Sequence, residues 1–176
     1  MSGLIHIYTG NGKGKTTASL GLAFRAMGKG FTVYFIQFMK GDIEYGEVKT
    51  AGRFPEFHLK QFGRPVFVDK NNPAEVDVRL AREGMEYARE TMAFLPDNGK
   101  KTLMVLDELN VAVYFNLVEI EDVLELVKAK PRELELVITG RYASQELIDI
   151  ADYVTEMKEI KHPYMKGILS RNGIEH

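Results

Sequence analysis

The residues with the clearest chemistry form a glycine-rich stretch near the N-terminus. Its members are Thr9, Gly10, Asn11, Gly12, Lys13, Gly14, Lys15, Thr16 and Thr17. Glycines let successive backbone N–H groups converge on an anion, and a following helix adds its positive end. A lysine in such a loop can reach the terminal phosphates of a nucleotide, and the next hydroxyl can ligate Mg²⁺. We therefore predict that this stretch binds a nucleoside triphosphate, with Lys15 and Thr16 taking part in the chemistry.

The loop departs at one position from the usual pattern, G-x-x-x-x-G-K-[ST]. Thr9 stands where the first glycine is expected, and glycines occur instead at Gly10 and Gly12. An apolar run over residues 4–8 precedes the loop and a helical pattern follows it, which is the context that a phosphate-binding loop requires. The sequence therefore indicates a specialised member of this loop class.

Two acidic residues, Asp107 and Glu108, follow the apolar run at residues 102–106. A carboxylate at the carboxyl end of a strand can hold Mg²⁺ directly or through water, while Thr16 holds it from the loop. Both carboxylates are candidates, and the sequence does not choose between them. Glu108 can also position an attacking water, so we count it with Lys15 and Thr16 as a catalytic candidate.

Arg141 is a further candidate for ATP binding, because it follows Thr139 and Gly140 at the end of a predicted strand. The alternative is an ordinary solvated arginine in a loop. No H-E-x-x-H spacing supports a catalytic zinc among the four histidines, and the absence of cysteine excludes disulfides and thiolate chemistry.

The chain alternates apolar strands with helical patterns, which predicts an α/β fold with a mainly parallel central sheet and helices on both faces. The predicted strands lie at about 4–8, 31–38, 56–62, 102–106, 134–139 and 153–160. The predicted helices lie at about 15–27, from Pro73 to 95, at 119–130 and at 144–150, with residues 96–99 ending the long one. Irregular segments are expected at 40–55 and 63–72. We expect residues 1–176 to form a single nucleotide-binding domain.

The composition excludes several classes of function. A formal charge of −2 and a pI near 6.1 argue against nucleic acid or a membrane surface as the main partner. No apolar segment reaches the roughly 18 residues that a membrane span needs. The first strand begins directly after Gly3, so we expect no signal peptide and a cytoplasmic protein.

Four separated segments together resemble the P-loop type of ATP:cob(I)alamin (corrinoid) adenosyltransferases. They are residues 8–17, residues 37–41, residues 106–110, and a last group made of 139–141, 151–157, 161–164 and 173–175. The resemblance extends in order over nearly the whole chain.

This resemblance implies a P-loop NTPase-like (RecA-like) fold and a reaction in which Co(I) of a reduced corrinoid attacks the 5′ carbon of ATP and expels triphosphate. ATP would lie in a reversed direction across the loop, so that the ribose, and not the γ-phosphate, meets the acceptor. The implied cofactor is Mg²⁺, and the implied substrates are ATP and cob(I)alamin or a precursor corrinoid. A flavoprotein reductant and a homodimer are further expectations.

Three residues are candidates for contacts with the corrinoid. Phe62 and Phe67 flank an irregular loop, where they can cover a flat apolar ligand, although ordinary packing is an equal alternative. Asn110 is a weaker candidate, placed by the resemblance. Other classes of function also stay open at this point: a P-loop ATPase in which Glu108 activates water, a small-molecule kinase acting at the γ-phosphate, and a non-catalytic nucleotide-binding subunit.

Overall fold

A six-stranded sheet organises the computed structural model, which describes residues 2–41, 45–95 and 101–175. The strands are β1 (Ile5–Thr9), β2 (Thr32–Phe38), β3 (Phe57–Phe62), β4 (Thr102–Asp107), β5 (Glu135–Thr139) and β6 (Tyr153–Glu156). They pair in the order β3-β2-β4-β5-β1-β6, and every pairing is parallel. The carboxyl ends of all these strands therefore meet at one edge of the sheet. The predicted α/β class with a parallel sheet is confirmed.

Helices connect the strands. They are α1 (Lys15–Met27), α2 (Gly46–Ala51), α3 (Glu75–Ala93), α4 (Leu109–Tyr114), α5 (Ile120–Lys128) and α6 (Gln145–Ile150), with a short 3₁₀ turn at Pro163–Lys166. Within the three described ranges, no helix is both long enough and apolar enough to cross a membrane.

The alternation of side chains along the strands builds two separate core layers. Val33 and Phe35 of β2 lie in one layer with Ala23 of α1. Ile36 and Phe38 lie in the other layer, which α3 and α5 complete. Since successive strand residues point to opposite faces, both faces of the sheet need a covering helix. This arrangement confirms the predicted parallel central sheet with helices on both faces.

Two short helices lie where the sequence did not predict them. Helix α2 lies within residues 40–55, which were expected to be irregular, and α4 begins directly after Glu108. Each spans six residues, which is too short for hydrophobic periodicity to be recognised. The predicted start of the long helix at Pro73 is wrong by two residues, because α3 begins at Glu75. Its predicted end at 96–99 lies outside the described residues.

The last strand ends earlier than predicted. It stops at Glu156 and does not continue to Ile160. Met157 still donates its N–H to Thr9 O at 2.8 Å, but its carbonyl accepts from Gly12 N at 2.7 Å. The chain therefore leaves the sheet to pack against the glycine-rich loop.

The contacts of two glycines predict opposite effects of the same substitution. A Cβ at Gly84 in α3 would lie 2.8 Å from Cε1 of the buried Phe38 ring, whereas a Cβ at Gly21 in α1 would meet no atom within 4 Å. We expect Gly84→Ala to lower the free energy of unfolding by about 1–3 kcal/mol through overpacking. Gly21→Ala should raise it by about 0.5–1 kcal/mol because it reduces the entropy lost on folding. Urea titrations of both variants measure the two signs, and a stabilised Gly84→Ala variant would contradict this packing.

Candidate active site

The glycine-rich loop connects β1 to α1, and its shape requires glycine at particular positions. Gly10 (φ 94°) and Gly14 (φ 122°) lie in the left-handed region, which disfavours side chains. A Cβ at Gly12 would lie 2.7 Å from Met157 O and 2.8 Å from Lys158 O. The chain that leaves β6 thus fills the space beside the loop, and only backbone fits against it.

Lys15 holds the loop closed from inside. Its Nζ donates to Gly10 O at 2.8 Å and to Gly12 O at 2.9 Å, and the residue is buried. Burial lowers the pKa of Lys15, and the negative charges of Glu108 and Asp107 oppose that effect. The ammonium group therefore lies directly beneath the backbone that would surround a phosphate.

The carboxylate of Asp107 is fully buried and accepts two hydrogen bonds on each oxygen. Oδ1 accepts from Thr16 Oγ1 at 2.9 Å and from Thr139 Oγ1 at 2.7 Å. Oδ2 accepts from Lys40 Nζ at 2.8 Å and from Gln37 Nε2 at 3.2 Å. A buried charge is tolerated only when its partners replace water in this way. The carboxylate thereby joins β4 to α1, to β5 and to the end of β2.

Glu108 presents a second carboxylate beside the first. Its backbone is left-handed (φ 64°), and its N–H donates to Thr139 Oγ1 at 3.0 Å. Burial, followed by the charge of Asp107, raises the pKa of Glu108, while Lys40 and Lys15 act in the opposite direction. Strained backbone of this kind is a feature of functional sites.

Two adjoining cavities open at this edge of the sheet. The smaller, of about 430 Å³, is lined by residues 12–17 together with Glu108, Arg141 and His162. The larger, of about 670 Å³, has a polar end at Lys40 and Glu47 and an apolar side formed by Leu20, Phe24, Met27 and Phe54. Thr16, Thr17 and Glu108 line both cavities.

The structure brings most of the predicted ATP-binding residues to the smaller cavity. Residues 12–17 and Arg141 line it, but Thr9, Gly10 and Asn11 do not. The Thr9 hydroxyl accepts from Ala143 N at 3.3 Å, and the Gly10 carbonyl accepts from Lys15. Thr9 and Gly10 therefore shape the loop, and the contact of all three residues with ATP stays a prediction.

The structure buries two of the three predicted corrinoid contacts, and their role stays a prediction. Phe62 is 6% exposed and packs in the core against Tyr87, since its position at the end of β3 points it inward. Asn110 is 1% exposed and donates from Nδ2 to Gly140 O at 3.3 Å, which helps to fix the turn before Arg141, while its buried Oδ1 has no partner among the described residues. Phe67 is fully exposed but lies outside the linings of both cavities, and its role stays a prediction.

Two features of the site were not predicted from the sequence. One is Lys40, which bonds Asp107. The other is the C-terminal segment: Lys13 Nζ donates to Ile174 O at 3.1 Å, and Glu175 lines both cavities. Hydrogen bonds from Arg171 lower the pKa of Glu175 to about 2. For Lys40, its position just after the carboxyl end of a strand was the available signal.

Comparison with known proteins identifies the family. The model of the family described as ATP:corrinoid adenosyltransferase BtuR/CobO/CobP matches residues 1–176. The chain belongs to this family. As an ATP:corrinoid adenosyltransferase, it is an enzyme that transfers the adenosyl group of ATP to a corrinoid.

Individual adenosyltransferases are similar over nearly the whole of this chain. The chain is 36% identical over 176 residues to a corrinoid adenosyltransferase of Pseudomonas aeruginosa, covering 98% of this chain and 83% of that protein. One from a Sinorhizobium species is 35% identical, covering 98% and 80%. One from Escherichia coli K12 is 32% identical, covering 99% and 86%.

The raised pKa of Glu108 predicts a pH-dependent effect of Glu108→Gln on stability. Below the ordinary pKa of 4.5 the side chain is protonated in both the folded and the unfolded adenosyltransferase, so glutamine and glutamate should behave alike. As pH rises through the raised folded value, ionisation costs the folded state more than the unfolded state. We therefore expect Glu108→Gln to have a higher melting temperature than wild type near neutral pH, and the difference to disappear at about pH 4.

Melting curves of the nucleotide-free proteins between about pH 4 and pH 8 measure this difference. Glu125→Gln, on the exposed face of α5, removes the same charge away from the cavities and should show no such pH-dependent gain. A lower melting temperature for Glu108→Gln than for wild type at neutral pH would contradict a raised pKa of Glu108 in the folded protein.

Proposed function

We propose that the triphosphate of ATP binds in the smaller cavity and that the adenosine extends past Thr16 and Glu108 into the larger one. The continuity of the two cavities carries this proposal, since they share Thr16, Thr17 and Glu108. Loop backbone and Lys15 at one end fit a polyanion. The apolar side of the larger cavity fits the aromatic base of the adenosine.

In the proposed reaction, Co(I) of the reduced corrinoid attacks the 5′ carbon of ATP. A cobalt–carbon bond forms, the C5′–O bond breaks, and triphosphate leaves with the electron pair of that bond. The nucleophile belongs to the substrate, so the protein need not supply one. The loop N–H groups, Lys15 and Arg141 stabilise the negative charge that develops on the leaving group.

The site also fits Mg²⁺. The Thr16 hydroxyl lies 2.9 Å from Asp107 Oδ1, and Glu108 faces both cavities beside them. Mg²⁺ commonly uses one or two protein oxygens together with phosphates and water. Across residues 2–41, 45–95 and 101–175, no group of three His, Cys, Asp or Glu could hold a metal, so Thr16 with Asp107 or Glu108 would provide the protein ligands. When bound, the ion supplies positive charge to the triphosphate.

We assign the corrinoid to the side of the site where Phe67 is exposed. The loop that carries Phe67 is anchored at both ends. Arg64 donates to Asp77 through Nε at 2.7 Å and Nη2 at 2.6 Å, and Lys70 Nζ lies 3.4 Å from the centre of the Tyr114 ring. An anchored loop with an exposed aromatic ring can lie against a flat macrocycle at little entropic cost.

Chemistry at the γ-phosphate is the alternative, and one observation favours it: Glu108, with its raised pKa, lines the triphosphate cavity and could activate water. A flavoprotein reductant, a homodimer, a cytoplasmic location and the assignment of residues 1–176 to one domain stay predictions from the sequence.

One assay separates these reactions. ATP, Mg²⁺ and chemically reduced cob(I)alamin are mixed with the enzyme, and the corrinoid spectrum and the phosphate product are followed together. We expect an alkylated corrinoid and triphosphate in equal amounts. Orthophosphate without a cobalt–carbon bond would reject the proposed reaction in favour of an ATPase.

Lys15→Ala should weaken ATP binding and lower kcat by roughly 10²- to 10³-fold, which is typical for the loss of one preorganised electrostatic group. Steady-state kinetics in the same assay measure the effect. Lys128→Ala, which removes a lysine from the exposed face of α5, is the matched control. Unchanged kinetics for Lys15→Ala would mean that the loop does not hold the triphosphate.

Phe67→Ala should raise KM for the corrinoid by roughly 2- to 10-fold, the value of one aromatic contact, and leave KM for ATP unchanged. Phe67→Tyr keeps the ring and should behave like wild type. Equal kinetics for Phe67→Ala and wild type would place the corrinoid elsewhere.

A further inference from the structure

Lys40 makes a buried ion pair at the centre of the site. Its Nζ lies 2.8 Å from Asp107 Oδ2, and the exposed fractions of the two side chains are 17% and 0%. The Lys40 ammonium group therefore lies directly against a buried carboxylate at the nucleotide site.

The backbone around Lys40 is fixed. Met39, which precedes it, is left-handed (φ 58°) and donates its N–H to Phe62 O at 2.9 Å. Gly41, which follows it, packs so closely on the carbonyl of Gly63 that no side chain fits there. Such strain persists only where the surrounding structure imposes it, and here it directs Lys40 toward Asp107.

A hydrogen-bonded chain extends this support across three strands. Gln61 Nε2 donates to Gln37 Oε1 at 3.0 Å, and Gln37 Nε2 lies 3.2 Å from Asp107 Oδ2 and 3.1 Å from Glu47 Oε1. These amides satisfy polar atoms but bring no charge. Lys40 therefore supplies the cation in direct contact with Asp107 on this side of the site.

We propose that Lys40 is the resident counter-ion of the metal site, so that Mg²⁺ enters together with ATP and not alone. A divalent ion placed beside Thr16 and Asp107 must approach the Lys40 ammonium, and that repulsion is strong in a buried environment. The roughly four negative charges of a triphosphate offset both cations at once. The inference rests on the proposed function, because it takes Thr16 with Asp107 or Glu108 as the metal ligands.

Removal of the positive charge of Lys40 should increase the affinity of the nucleotide-free enzyme for a divalent metal ion. Mn²⁺ is titrated into the nucleotide-free enzyme, and its free EPR signal reports binding without any turnover. We expect Lys40→Met to bind Mn²⁺ roughly 10- to 100-fold more tightly than wild type, as removal of a nearby like charge predicts. Lys40→Arg, which keeps the charge, and Lys128→Met, which removes a charge from exposed α5, should match wild type.

A purely structural role for Lys40 would give the opposite pattern: a lower melting temperature for Lys40→Met with no gain in Mn²⁺ affinity, which would overturn the proposal. Lys40→Gln, which keeps a donor for Asp107, carries the same expectation if Lys40→Met does not fold. Adding Asp107→Asn to the Lys40→Met variant should remove the gain.

A titration of wild type with Mn²⁺ in the presence of ATP tests the proposed metal site separately from the proposed role of Lys40. Absence of bound Mn²⁺ in that titration would reject the proposed metal site itself. Binding with ATP, combined with equal affinities of wild type and Lys40→Met for Mn²⁺ alone, would reject only the role of Lys40.

Discussion

The buried carboxylate of Asp107 is the interaction on which the rest of the site depends. Thr16 and Thr139 bond one of its oxygens, and Gln37 and Lys40 bond the other. These partners come from α1, from β5, from β2 and from the segment just after β2, and Asp107 itself belongs to β4. One side chain therefore fixes the relative positions of the phosphate loop and three neighbouring strands. Leaving such a charge without partners costs far more than any one of these bonds contributes, and this explains why the arrangement holds before any ligand is present.

This arrangement also accounts for the chemistry of an adenosyltransferase. The strongest donors surround the place where a polyanion would lie, whereas the adjoining cavity has an apolar side formed by Leu20, Phe24, Met27 and Phe54. An enzyme whose nucleophile arrives with its substrate needs a stabilised leaving group and a dry, shaped space beside it. The charges of Lys15, Lys40 and Arg141 stand around Glu108, where they can balance the departing triphosphate.

Much of the fold and several residues of the candidate site could be predicted from the sequence, because they depend on local sequence patterns. The glycines of the loop, the alternation in β2 and the carboxylates after β4 each depend on residues close together in the chain. The role of Lys40 could not be predicted, since it depends on β2 lying beside β4 in the sheet, which local periodicity does not specify. The burial of Phe62 could not be predicted for a related reason: loop composition predicted exposure, but strand pairing directs its ring into the core. The burial of Asn110 could not be predicted because α4, which buries it, is too short to be recognised.

A crystal structure with Mg²⁺ and a non-hydrolysable ATP analogue tests the central claim most directly. We expect the triphosphate to lie against residues 12–17 and the 5′ carbon of the ribose to point into the larger cavity, on the side of Lys40 and Glu108. An adenosine that left the loop on the opposite side, toward β6, or a triphosphate bound outside the loop, would contradict the account.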